Sequence, residues 1–513
     1  MSVAAEELHR DGAPSLEVID LTMRFGDFVA LEGAHLKVAP GEFHALLGEN
    51  GAGKSTFVKC VIGYQQPTAG QVLYNGRETD FHSPRDAHAA GIGMVYQQFT
   101  LVPNMTVAEN LVLVRSEIPP VIDWGKELAA LRAFMDRQPF QVPLQTPVRS
   151  LSAGQKQKLE ILKQLYLDRT LLFLDEPTSV LTPAEADEVL GLLHDKTRRG
   201  ELTVLIITHK FREVTGYCDA VTVLRRGRWA GSGRVGELST DEMAAMMIGA
   251  ETLTAAAPRA ATATRTPRLV IDGLCAAGDD GQPLLDALSL TVHSGEIVGI
   301  AGVSGNGQLQ LVECLAGQRP IGGGQVTVGE QPYRPLRREI RAKKVRILPE
   351  VPLQNACAPN MSVSDNIAFS DFDVPPIAKA RAFVSRAAVK DKARRLIARF
   401  AVKTPSPAAP IRTLSGGNVQ RAILARELAD PCDVLITADP CFGLDFMATA
   451  DIRAKLIDSR NAGAAVLLVS SDLDELLEVS DRLCVMFDGK IVYETITAEA
   501  DVTAVGKHMA GHG

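Results

Sequence analysis

The nine residues GENGAGKST, Gly48 to Thr56, constrain this chain more than any other stretch, because they fit the pattern G-x-x-x-x-G-K-[ST]. That pattern requires a strand, a tight glycine-rich loop and a helix in immediate succession. An apolar strand pattern, Phe43 to Leu47, precedes the loop, and a helical pattern runs from Ser55 to about Tyr64. Glycines at 48, 51 and 53 let successive backbone N–H groups turn inward, and the helix adds its positive N-terminal dipole. The loop, with Glu49, Asn50, Ala52 and Thr56 completing it, is therefore expected to cradle phosphates. Lys54 is placed to reach β- and γ-phosphates, and the Ser55 hydroxyl to ligate Mg²⁺.

The rest of the chain is built on this motif twice. PNMTVAENL at Pro103 recurs as PNMSVSDNI at Pro359, LSAGQ at Leu151 as LSGGN at Leu414, and GENGAG at Gly48 as GVSGNG at Gly302, all at offsets of 254 to 263 residues. Collinear matches at near-constant offset mean a tandem duplication, which suits 513 residues better than a single core does. Between the copies, Glu251 to Arg268 is rich in Ala, Thr and Pro and lacks an apolar face, so it reads as a mobile linker. The expected division is a polar tail at 1–13, a first domain at 14–250, a linker at 251–267 and a second domain at 268–508. Within each copy, β-rich runs such as Thr203 to Ile207 and Ala465 to Val469 alternate with helical patterns. That alternation predicts α/β layers around a largely parallel sheet.

Composition narrows the functions. A net charge of −7 argues against a nucleic-acid binder, and the eight cysteines form no C-x-x-C pair or metal-like cluster. No apolar run approaches the roughly 18 residues that span a bilayer. Glu6, Glu7, Arg10 and Asp11 stand where a secretory signal needs an apolar core. The chain is thus expected in the cytoplasm, with any membrane contact made through a partner.

Further motifs follow the phosphate loop in order. Leu171 to Thr182, LLFLDEPTSVLT, is an apolar strand ending in two carboxylates. Asp175 is placed to hold Mg²⁺ through water, and Glu176 is the candidate base that orients and deprotonates the attacking water. His209, in THK after the strand Thr203 to Ile207, is expected near the γ-phosphate as a switch or as partner to Glu176. One of Gln97 and Gln98 should reach Mg²⁺ and the water; Gln97 is favoured because it directly follows the strand pattern ending at Tyr96. LSAGQKQ opens a helix whose first N–H groups can face an anion. Phe25 is a candidate to stack on adenine, the alternative being an ordinary core or surface aromatic.

Phosphate loop, Gln loop, LSAGQ, LDEP and the following His, in this order, resemble the nucleotide-binding domain of an ATP-binding cassette (ABC) protein, and the resemblance covers nearly the whole chain, twice. The resemblance implies two tandem ABC-type P-loop NTPase domains, each with a core sheet layer and a helical subdomain, using ATP and Mg²⁺. DEPTSVLTPAE, LEILKQLY, THKFREV and VTVLRRG look closest to the tandem ATPases of bacterial importers for nucleosides and simple sugars, nearer the nucleoside branch. In that family the ATPase pair sits at the cytoplasmic face of the inner membrane. It lies under two membrane-embedded permease subunits, served by an extracytoplasmic solute-binding protein.

The second copy departs from the pattern at one set of positions. Gln308 stands for Lys54, Leu309 for Ser55, Ala438 and Asp439 for Asp175 and Glu176, Glu350 for Gln97, and Ser471 for His209, while LSGGN is intact. If the copies pair head to tail, as the resemblance implies, each ATP lies between one copy's phosphate loop and the other's LSGG turn. One site then combines Lys54, Ser55, Gln97, Asp175, Glu176 and His209 with Ser415, Gly416 and Gly417. Turnover is expected there alone. A soluble tandem cassette of translation or repair is the competing reading. The short Ala/Thr linker, the single damaged copy and the absence of a cysteine cluster weigh against it.

Overall fold

The computed structural model describes residues 12–49, 51–115, 118–208, 210–249, 259, 266–278, 281–303, 305–350, 352–379, 383–442, 444 and 446–511. The chain divides into two compact units, Met1–Thr252 and Leu253–Gly513.

In the first unit the strand Phe43–Leu47 is buried along its whole length, as are Thr203–Ile207 and the first four residues of Leu171–Asp175. Such fully buried strands, apolar but for His44 and Thr203, are what a parallel sheet covered on both faces demands. They lie in a six-stranded sheet whose spatial order is Arg228–Arg234, Ala220–Arg225, Phe43–Leu47, Thr203–Ile207, Leu171–Asp175 and Ile92–Val95. All neighbours are parallel except the edge pair Arg228–Arg234 and Ala220–Arg225. The register sets Leu46 opposite Ile207, Ile207 opposite Asp175, and Leu174 opposite Val95. Four loops that carry the sequence motifs therefore leave adjacent strands at one edge of the sheet, the carboxyl edge where α/β folds bind ligands.

A second, four-stranded antiparallel sheet packs beside it, in the order Phe28–Val38, Leu16–Phe25, Ala69–Tyr74, Arg77–Glu78. The sequence reading did not separate this layer, because its strands alternate buried with partly exposed residues and are broken by register shifts. Leu16, Leu31, Phe57, Phe173 and Leu205 join both sheets and the phosphate-loop helix into one core. The helical layer comprises Val107–Leu113, Trp124–Met135 and Ala153–Tyr166. Capping boxes at Thr106/Glu109 and Ser152/Gln155 start two of these helices by satisfying their first N–H groups.

The second unit repeats the plan. Its six-stranded sheet runs Val345–Leu348, Val434–Ala438, Ala465–Val469, Glu296–Ala301, Arg482–Phe487, Lys490–Ile496, beside a four-stranded antiparallel sheet. The final helix, Val502–Met509, buries Met509 against the core. Most of the linker lies outside the described residues, as does the tail up to Asp11, but Arg259 is tied down rather than free. Its guanidinium donates to Glu478 O at 2.5 Å and Ser480 O at 3.1 Å, at the C-terminal end of helix Leu473–Val479, where a cation is favoured.

Candidate functional site

The phosphate loop of the first unit is shaped by close backbone approach. A Cβ on Gly48 would lie 2.4 Å from Leu224 O, and one on Gly53, whose φ is +99°, would lie 2.7 Å from Leu31 Cδ2. The helix Lys54–Val61 begins directly after Gly53. Lys54 is buried, and its ammonium curls back over the loop, donating to Gly48 O at 2.5 Å and Glu49 O at 3.0 Å. Burial lowers its pKa, opposed by the nearby charges of Glu176, Asp175 and Glu49. A cation wrapped by its own loop, with three carboxylates around it, fits a site built for phosphate and a divalent metal. Ser55 is exposed and Thr56 partly so, while Gly51 is open and Ala52 buried. Asn50 lies outside the described residues.

Asp175 ends its strand beside this loop. Burial, then the charge of Glu176, raises its pKa to about 6, against the pull of Lys54 and Lys59. A native carboxyl that holds its proton more tightly than the unfolded chain does stabilises the fold below about pH 4, and that contribution is lost as pH rises through about 6. The nucleotide-free protein should therefore become less stable between pH 4 and pH 7. Asp175→Asn should remove that slope and stabilise the first unit at pH 7.5 by on the order of 1–3 kcal/mol, with no gain at pH 4, read from melting curves at the two pH values. Equal shifts at both pH values would contradict this.

Glu176 adopts φ +48°, a left-handed conformation unusual for a non-glycine residue, fixed by its N–H donating to Ile207 O at 2.9 Å. Such backbone strain is held where it aims a functional side chain. Gln97 Nε2 donates to Glu176 Oε2 at 3.1 Å, so the Gln loop and the candidate base meet. His209 lies outside the described residues, but its neighbour Thr208 donates to Glu213 Oε2 at 2.7 Å, and Thr178 donates to the other oxygen of Glu213. The buried Glu213 thus bridges the Glu176 loop and the His209 loop. Sequence reading missed it; its signal was a carboxylate in the first turn of the helix after THK. Phe25 ends its strand opposite Phe28, and both rings are exposed.

In the second unit the same turns carry different chemistry. Gln308 Nε2 donates to Val303 O at 3.2 Å, so a neutral amide holds the loop where Lys54 holds the first. Asp439 repeats the left-handed turn at φ +40°, with its N–H donating to Val469 O at 2.8 Å. Its Oδ1 accepts from Ser471 N at 2.7 Å and Ser471 Oγ at 2.8 Å, so one oxygen of the short carboxylate is engaged by the residue that stands for His209. Burial, and secondarily Asp439, raises the pKa of Glu350. Ala277 faces Pro283 where Phe25 faces Phe28, so the aromatic pair is absent. Ser415 stands at the N-cap position of helix Gly416–Glu427, its hydroxyl accepting from the Asn418 side-chain Nδ2 at 2.9 Å, and a Cβ on Gly416 would meet nothing within 4 Å. The cysteines are free, and no group of metal-binding residues occurs among the described residues.

The family description "ABC transporter" matches residues 31–179 and 285–441. The chain is 37% identical over 479 residues to the nucleoside import ATP-binding protein NupA of Lactococcus lactis, covering 93% of this chain and 94% of that one. It is also 37% identical over 532 residues to the glucose import ATP-binding protein TsgD13 of Haloferax volcanii, covering 98% and 96%. Among solved structures, the archaeal ribosome recycling factor aABCE1 superposes with a TM-score of 0.60 at 19% identity, over 93% of this chain and 89% of that one, a likeness of fold alone. With two cassette matches and import ATPases related over nearly its full length, this chain belongs to the ABC transporter family, among its ATP-hydrolysing import subunits.

Proposed function

We propose that ATP is hydrolysed in the first unit only and that this turnover drives import of a small polar solute, a nucleoside or nucleobase. The observation that carries the single-site reading is the contrast between the two sheet edges. Lys54, Asp175, Glu176 and Gln97 gather at one, and Gln308, Ala438, an occupied Asp439 and Glu350 stand at the other.

On this reading Lys54 exchanges its two loop carbonyls for β- and γ-phosphate oxygens. The loop N–H groups and the helix N-terminus then share the negative charge that builds on the transferred phosphoryl group. Mg²⁺, held by Ser55, Asp175 and Gln97, would supply further charge neutralisation. Glu176 lines up the water and takes its proton, with Gln97 fixing the carboxylate's orientation. His209 is assigned to the γ-phosphate, and Phe25 to the adenine. Ser415, Gly416 and Gly417 are assigned to the same ATP, as the head-to-tail pairing of cassettes implied by the resemblance requires.

Two membrane-embedded permeases and an extracytoplasmic binding protein are the proposed partners, with the chain peripheral at the cytoplasmic face of the membrane. None of the helices among the described residues is long and apolar enough to cross a bilayer. The nucleoside assignment rests on the NupA likeness; the equal identity to a glucose import protein supports a simple sugar as the second reading. Capture of the chain from detergent-solubilised membranes should bring down two multi-pass proteins and a binding protein whose ligand is screened against nucleosides and sugars. Ribosomal or repair proteins instead, with no membrane protein, would overturn the reading.

A further inference from the structure

The helix that begins with the LSAGQ turn, Ala153–Tyr166, holds the Gln loop on both sides of Gln97. Three residues before it, Met94 O accepts from Gln164 Nε2 at 3.1 Å. The helix comes this close because Gly93 leaves room: a Cβ there would lie 2.6 Å from Gln164 Oε1. Three residues after it, Thr100 donates to Glu160 through both its backbone N–H and its hydroxyl, the latter at 2.9 Å from Oε1. Lys163 Nζ closes the ring, 2.6 Å from Thr100 Oγ1 and 2.5 Å from Glu160 Oε2.

These are not surface contacts. Glu160 is 1% exposed, Lys163 7% and Gln164 6%. A buried ion pair is weak support for stability, since desolvation offsets most of its Coulombic gain and apolar side chains of similar size often serve as well. Its worth lies in specifying an arrangement, here the register between one loop and one helix.

The second unit offers an internal comparison. The position of Glu160 is taken by Ile423, and the stretch from Pro349 to Cys357 contains no threonine. Glu427, in the place of Gln164, accepts from Arg426 Nε at 2.6 Å, and Arg426, in the place of Lys163, also donates to Ala356 O at 2.7 Å and Asn366 O at 3.5 Å. Among the described residues, the grip on both sides of the loop is found in the first unit, which keeps the hydrolytic residues.

We propose that Thr100, Glu160, Lys163 and Gln164 form a clamp that moves the Gln97 loop and the LSAGQ helix as one body, so that nucleotide contact at Gln97 is passed straight to that helix. They are positioning residues, acting through Gln97 and the LSAGQ turn. The proposal rests on the reading that the first unit hydrolyses ATP.

The test is the double variant Glu160→Met/Lys163→Met in the full chain, with Thr100→Val as the milder second variant. Both are compared with wild type by ATPase kinetics, melting and backbone hydrogen exchange, with and without the β,γ-imido analogue of ATP and Mg²⁺. The double variant should melt within a few degrees of wild type, keep its KM and lose about tenfold or more in kcat. In wild type the analogue should slow exchange across residues 153–158, and in both variants that response should be lost. Thr100→Val should lower kcat about threefold or more, and it decides the matter if the double variant does not fold. Turnover within twofold of wild type, or an analogue-induced change at 153–158 that persists in the variants, would overturn the clamp. Failure of the underlying reading looks different: wild-type turnover would then survive Lys54→Gln.

Discussion

Glu176→Gln lowers ATP turnover by a factor on the order of 10² to 10⁴ and leaves ATP affinity close to wild type, as judged by steady-state hydrolysis beside equilibrium binding. The substitution removes the group that takes the water's proton but keeps the side chain's size and the left-handed turn that aims it. The cationic loop, the helix N-terminus and Asp175 remain, so the phosphates still find their partners. Gln97 still has an amide oxygen to donate to, which keeps the Gln loop in place. Normal hydrolysis in this variant would remove Glu176 from the chemistry.

Lys54→Gln is the second large effect, and the second unit shows why it is a clean experiment. Gln308 occupies the equivalent position, and its amide bonds Val303 O while the helix Gln308–Ala316 starts in the same way, after Gly307 at φ +107°. A glutamine at 54 is therefore compatible with the loop's fold. What it lacks is the charge that meets the β- and γ-phosphates, which in a site shielded from water is worth several kcal/mol. ATP affinity in the first unit should fall at least ~10-fold and turnover ~100-fold or more, with a melting temperature close to wild type. Binding and turnover both unchanged would mean that the phosphates are held elsewhere.

The residues that were legible in the sequence share a property: their role is written in local pattern. The strand Phe43–Leu47 follows from its apolar run, the start of Ala153–Tyr166 from the LSAGQ turn and the loop from its glycines. The duplication was equally plain, since two copies of one plan carry the same motifs in the same order. What escaped was long-range. Glu160 and Lys163 sit three residues apart on a helix, where such a pair is usually a solvated surface contact; only their burial against Thr100 shows otherwise. Glu213 likewise gains its meaning from Thr178, distant in sequence. Arg259 looked like one cation in a mobile linker until the carbonyls at the end of helix Leu473–Val479 were seen to receive it. Asn50 and His209, both named from the motifs, lie outside the described residues.

Vanadate trapping shows which of the two units turns over. The full chain, with the proposed permease partners, would be incubated with Mg²⁺ and 8-azido-ATP, trapped with vanadate after hydrolysis, irradiated and digested, and the labelled peptides identified by mass spectrometry. Trapping requires that the nucleotide has first been hydrolysed. Label confined to peptides that contact the nucleotide held by the first phosphate loop, and abolished by Glu176→Gln, is the predicted result. Label on peptides around Gly302–Gln308 that survives Glu176→Gln would contradict it, because it would mean that the second phosphate loop hydrolyses ATP without a lysine.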